Sequence, residues 1–130
     1  MNISSAISNG SKILKKNLIS SSQLDSEILL AKIINKDRKY ILLNSNNKIS
    51  KKDQKTFYKL IERRSLGNPV AYLTNKKFFW NSEYFITNDT LIPRPDTELI
   101  VENSLRITKH KNKINILEIG VGSGCIILSI

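Results

Sequence analysis

A chain of 130 residues has room for one ordinary domain, or for a small domain and part of another. Its 40% apolar and 25% charged residues suit a folded globular protein, and no apolar run reaches the ~18 residues a transmembrane helix needs. A net charge of +10 points first to nucleic acid, yet only five of the 21 basic residues are Arg, and the lysines are scattered with few aromatics among them. Together with abundant Ile and Asn, that pattern matches AT-rich coding better than a binding face, so direct nucleic-acid binding is not expected. Met1 to Lys16 lacks the apolar core of a secretory signal. The single cysteine, Cys125, rules out an internal disulfide, and a reducing cytoplasm is the expected compartment.

Ile3, Ile7, Ile13, Leu14 and Leu18 recur at roughly helical spacing, weakened by Gly10. After the polar break Ser20 to Ser22, Ser22 reads as an N-cap, with Leu24, Ile28, Leu29 and Ile33 as the apolar face and Asn35 as the stop. Asp37 caps a short helix through Tyr40, Ile41 and Leu42. Ser50 starts another, with Asp53 at the capping-box spacing, Phe57, Leu60 and Ile61 on its buried side, and Gly67 then Pro69 closing it. Residues 1–67 thus read as a helical bundle with a core of Ile13, Leu14, Leu24, Ile28, Leu29, Ile41, Phe57 and Ile61. Its acids read as isolated on solvent faces.

The texture changes after Pro69. Val70 to Leu73 leans towards β structure, and Lys77–Trp80 and Tyr84–Thr87, split by Asn81 and Ser82, predict a β-hairpin. Ile92-Pro93-Arg94-Pro95-Asp96-Thr97-Glu98 follows, where two prolines in three residues fix φ twice and disfavour the α region for the residues preceding them. Asp96 and Thr97 are placed to cap the next helix, which carries Leu99, Ile100 and Leu105 on one side. Trp80 reads as hairpin core. Lys109 to Lys113 is a basic loop holding the only histidine, His110. Ile114 to Ile119 then reads as a buried strand, ended by Gly120-Val121-Gly122-Ser123-Gly124.

That strand, Glu118 near its end and the glycine turn form the pattern by which a ligand crevice opens at the carboxyl end of a strand in an α/β sheet. A Cβ would hold a ligand away, and a tight turn can require positive φ. No lysine follows Gly120, which disfavours a phosphate-binding loop of the Walker type. The sixth position of a dinucleotide fingerprint counted from Gly120 is Cys125 rather than Gly or Ala. Acid-x-Gly-x-Gly-x-Gly resembles motif I of class I AdoMet methyltransferases, whose ligand carries an ammonium group and no phosphate. Nucleotide cofactors and a purely structural turn remain the alternatives.

The wider context is similar to one family. Arg63, Gly67, Pro69, Ala71-Tyr72-Leu73, Phe78, Pro93-Arg94-Pro95-Asp96-Thr97-Glu98 and Leu117-Glu118-Ile119-Gly120-Val121-Gly122-Ser123-Gly124-Cys125 resemble the HemK/PrmC family in order and spacing. Asp25-Ser26-Glu27-Ile28-Leu29-Leu30 resembles its second helix. Glu118 stands where Asp is usual, Val121 where Thr or Cys is frequent, and Asn75 where Gly is common, a substitution that tolerates left-handed backbone.

The resemblance implies an α+β protein. It would comprise an N-terminal helical, release-factor-binding domain (1–67), a β-hairpin linker (68–95), and the incomplete start of a Rossmann-like AdoMet methyltransferase domain (96–130). It implies methyl transfer from S-adenosyl-L-methionine to the side-chain amide of a glutamine in peptide chain release factors, with no metal and no membrane, by a parent enzyme that is monomeric. Glu118, Gly120, Val121, Gly122, Ser123 and Gly124 would bind the cofactor, and Arg94 and Thr97 the substrate. The family's Asn-Pro-Pro-Tyr motif does not occur in residues 1–130, so no catalytic residue is assigned and these residues alone are expected to be inactive. A non-catalytic release-factor-binding fragment and a related AdoMet methyltransferase acting on nucleic acid are the alternatives.

Overall fold

The computed structural model describes residues 1–130 and divides into two compact units, Met1–Thr74 and Asn75–Ile130. The first is all helical: α1 Ile3–Lys16, α2 Ser22–Ile33, α3 Arg38–Leu43, α4 Lys51–Ser65 and α5 Val70–Thr74. The second holds the antiparallel strands β1 Lys76–Phe79 and β2 Ser82–Phe85, a 3-10 turn Pro95–Thr97, α6 Glu98–Thr108 and a last 3-10 turn Ile127–Ser129. The content is α+β. No helix is long and apolar enough to cross a membrane.

Helix starts follow the caps. Asn2 accepts the Ser5 N–H (2.8 Å), Asp37 that of Tyr40 (2.7 Å) and Ser50 that of Asp53 (3.0 Å). The ends of α1, α2 and α4 share one device. The N–H of Ile19 bonds Leu14 O, that of Lys36 bonds Ala31 O, and that of Asn68 bonds Arg63 O, each across a residue with positive φ: Leu18 (61°), Asn35 (52°) and Gly67 (93°). These are Schellman closures, in which the left-handed residue lets the chain turn back on its last carbonyls. Asn35 and Gly67 were the expected stops; Leu18, 93% exposed, was not.

The bundle core is Ile3, Ala6, Ile7, Leu14, Leu29, Leu30, Ala31, Ile41, Phe57, Ile61 and Leu73. Ile13 and Leu24 are exposed and Ile28 is only half-buried, against expectation. On α1 the inward stripe is Ile3, Ala6, Ile7, Gly10 and Leu14, which leaves Ile13 on the flank. Gly10 is no weak point: a Cβ there would lie 2.9 Å from Phe57 Cζ and 3.1 Å from both Ile61 Cδ1 and Ser26 Oγ. Its missing side chain lets α1 approach α2 and α4. On α2 the inward positions include Ser22, Asp25, Ser26 and Glu27, so its buried surface is polar as well as apolar. The expected cap at Ser22 is likewise displaced: Ser21 is the cap residue, and Ser22 is buried, accepting a bond from the Ser11 hydroxyl (3.2 Å).

Residues 70–73 are helical, not extended. The Pro69 carbonyl accepts the N–H groups of Tyr72 and Leu73, the Thr74 hydroxyl bonds Val70 O, and the single turn buries Leu73. The hairpin pairs Lys76 with Phe85 and Phe79 with Ser82, its first strand one residue and its second two residues earlier than expected. This register places Trp80, at φ 52°, in the two-residue turn rather than in the hairpin core. The bonds between Asn75 and Ile86 close its open end, with Asn75 left-handed at φ 58° as its residue type allows. On α6 the inward residue is Val101, while Leu99 and Ile100 are exposed.

The strand expected over Ile114–Ile119 is not formed; the only sheet is the two-stranded hairpin. A parallel-sheet strand takes its hydrogen bonds from neighbours and has both faces covered. Here no partner strand lies alongside, and Leu117 (86%) and Ile119 (89%) are exposed.

Candidate functional site

The glycine turn has the backbone its sequence demands. Gly120, Gly122 and Gly124 adopt φ of 80°, 56° and 74°, and the Gly124 N–H bonds Val121 O at 2.8 Å. A Cβ at Gly120 would meet nothing within 4 Å, and one at Gly122 only Gly120 O at 3.8 Å. At these two positions glycine answers to backbone conformation rather than to close packing. Glu118 is half-buried and its carboxylate accepts the Ile127 N–H (3.1 Å), bridging the two sides of the turn. Cys125 is buried rather than presented: its carbonyl accepts from the Ser129 hydroxyl (2.6 Å) and from the Tyr84 hydroxyl (3.3 Å). Tyr84 of β2 therefore ties the turn to the hairpin. Val121 is exposed and Ser123 half-buried.

The proline segment behaves differently from expectation. Pro93 is buried, Arg94 is exposed in extended backbone, and the Thr97 N–H bonds Arg94 O (3.1 Å). Neither Asp96 nor Thr97 caps α6 with its side chain, because Thr97 is itself helical (φ −69°, ψ −20°) and the 3-10 turn runs straight into the helix. Glu98 takes the structural role instead. Its carboxylate accepts the N–H of Trp80 (2.9 Å), joining the left-handed hairpin turn to the first turn of α6. No hydrogen bond joins Arg94 or Thr97 to the glycine turn.

The acids of α2 are buried, against the expectation of solvent-facing positions. Asp25 and Glu27 are 5% and 4% exposed, and each meets an arginine distant in sequence. Arg64 Nε donates to Asp25 Oδ2 (2.7 Å), which also accepts from the Ser21 hydroxyl, while Arg64 Nη1 reaches Asn68 O. Arg38 Nε donates to Glu27 Oε2 (2.7 Å), and Gln23 to Glu27 Oε1 (2.8 Å). Their pairing, rather than catalysis, explains their burial. Glu27 lines a groove of about 420 Å3 between α1, α2 and α3, together with Ile7, Ser8, Lys12 and Lys15. No group of three or more His, Cys, Asp or Glu is arranged to hold a metal.

The five helices of the first unit coincide with a known family: the PrmC N-terminal domain matches residues 5–74. The chain belongs to the PrmC N-terminal domain family. Relatives extend the PrmC likeness past the bundle. Release factor glutamine methyltransferases of Buchnera aphidicola subsp. Acyrthosiphon pisum and Leptospira interrogans are each 38% identical, over 91% and 92% of this chain and 42% of their own length. A bifunctional methyltransferase of Rickettsia felis is 36% identical over 98% of this chain and 29% of its own. This PrmC-family chain spans about two-fifths or less of the length of these relatives.

Proposed function

We propose that this chain serves methyl transfer from S-adenosyl-L-methionine to the side-chain amide of a glutamine in a peptide chain release factor. In this reading the helical unit engages the release factor, residues 68–95 with the hairpin link it onward, and residues 96–130 begin a Rossmann-like cofactor domain that works in the cytoplasm. The observation that supports it is 38% identity to two release factor glutamine methyltransferases over 91% and 92% of the chain, spans that take in the Pro93–Glu98 segment. Bound AdoMet supplies an electrophilic sulfonium methyl. This chain's part is to hold the ligand through Glu118, Gly120, Val121, Gly122, Ser123 and Gly124, and to orient substrate with Arg94 and Thr97. The open space beside Gly120 and Gly122 and the negative charge of Glu118 suit a cationic, phosphate-free ligand. An amide nitrogen is a weak nucleophile because its lone pair is delocalised, so the demand on the protein is mainly for positioning.

A chimaera tests this. Residues 1–130 replace the matching part of the Buchnera release factor glutamine methyltransferase, and label transfer from AdoMet to a release factor is followed. The chimaera is expected to methylate, and its Gly122→Val variant to lose AdoMet binding. A folded chimaera that binds neither AdoMet nor release factor, beside an active parent, refutes the proposal.

A further inference from the structure

The +10 charge is not spread through the chain. Met1–Thr74 holds 14 of the 21 Lys and Arg against five Asp and Glu, a net +9; Asn75–Ile130 holds seven against six, a net +1. A coding bias towards lysine acts on both units alike, so the second unit is an internal control and bias alone does not account for the first. Two of the five acids in the helical unit, Asp25 and Glu27, are buried against Arg64 and Arg38. The remaining acids are Asp37, Asp53 and Glu62, facing twelve cations.

Helix α4 orders part of this charge. Lys52, Lys55, Lys59 and Arg63 are all exposed, and none is in an ion pair. At 3.6 residues per turn they fall within an arc of roughly 80°, opposite the buried Phe57 and Ile61, and cover about 16 Å of the axis at intervals of about 4.5–6 Å. Thr56 and Glu62 flank the stripe, and no apolar side chain of α4 lies within it. A protein partner is held by apolar and aromatic anchors, and lysine is depleted in protein interfaces. A membrane surface needs an apolar face beside the cations. The stripe has neither, and a regular row of unpaired point charges complements a phosphate backbone.

We propose that the exposed face of α4 binds the phosphate backbone of single-stranded nucleic acid, without base readout, through Lys52, Lys55, Lys59 and Arg63. This departs from the expectation drawn from the scattered lysines, because Lys52, Lys55 and Lys59 are separated in sequence and aligned on the helix. The proposal is independent of the methyl-transfer reading.

The test is fluorescence anisotropy of the full chain with a labelled 20-nucleotide single-stranded RNA in 50–200 mM KCl. Four phosphate contacts predict a log–log salt slope of about −3, a loss of about fifty-fold in affinity over that range. The variant Lys52→Gln/Lys55→Gln/Lys59→Gln, with circular dichroism confirming its helices, is expected to bring the slope to about −1. Lys109→Gln/Lys111→Gln/Lys113→Gln removes the same charge from the other unit and is expected to leave the slope unchanged. Equal weakening by both triple variants overturns the proposal, as does no binding at about 100 µM chain in 50 mM KCl. Poly-glutamate of equal charge competing as well as unlabelled RNA overturns it in favour of an acidic protein partner.

Discussion

Gly10 offers the sharpest test of how the bundle is held together. Alanine in place of glycine inside a helix is ordinarily stabilising, by about 1 kcal/mol. At Gly10 the new methyl carbon would sit 2.9 Å from Phe57 Cζ, closer than carbon atoms tolerate, with Ile61 Cδ1 and Ser26 Oγ at 3.1 Å. All three neighbours are buried to within 1% of complete, and the Phe57 ring tip cannot swing away as a long flexible chain could. Overpacking of this kind costs about 1–3 kcal/mol. Gly10→Ala is therefore expected to destabilise by about 1 kcal/mol despite its better propensity, and Gly10→Val by about 3 kcal/mol or more. Urea unfolding followed by circular dichroism at 222 nm reads this as a midpoint lower by roughly 0.5–1 M for the alanine variant. Phe57→Leu removes the clashing atom, so the double variant should lose less than the two single losses added together. A Gly10→Ala chain as stable as the parent, or more so, refutes the close-approach reading.

Arg64→Leu leaves the buried Asp25 with only the Ser21 hydroxyl, and urea unfolding should show a loss of about 3 kcal/mol. Lys76→Ala, which breaks a pair about half exposed on both sides, should cost under about 1 kcal/mol; equal losses would refute the distinction. Leu18→Gly relieves a left-handed leucine that is 93% exposed, and a melting curve should show a gain of several tenths to about 1 kcal/mol. Residues 1–130 alone are expected to bind AdoMet only weakly, because the glycine turn is one exposed wall without a formed sheet behind it. Calorimetry giving a low-micromolar Kd that Gly122→Val abolishes would contradict that expectation.

The helical unit was legible where local rules dominate. Asp37, Ser50, Asn35 and Gly67 act through bonds to residues three to five positions away, so their types alone marked the helix ends. Inward faces were harder wherever the partner lies far along the chain. Asp25 and Glu27 read as solvent-facing because Arg64 and Arg38 are 39 and 11 positions off, and Gly10 read as a weakness because Phe57 and Ile61 sit on another helix. At the candidate site the three glycines declared their positive φ, since few other residues sustain it. The strand over residues 114–119 carried a sound pattern, but a strand is a property of a pair of chains, and apolar alternation cannot supply the second. The function of Glu98 left no local mark at all: its partner is a backbone N–H whose orientation depends on the hairpin turn at Trp80.

That clasp has a practical consequence. Trp80 is the only tryptophan in the chain and belongs to Asn75–Ile130, whereas most of the helix lies in Met1–Thr74. Indole fluorescence therefore follows one unit, and far-ultraviolet dichroism is weighted towards the other. Coincident curves from the two signals would mean that the halves melt as one cooperative body; separated curves would give each its own transition in a single titration.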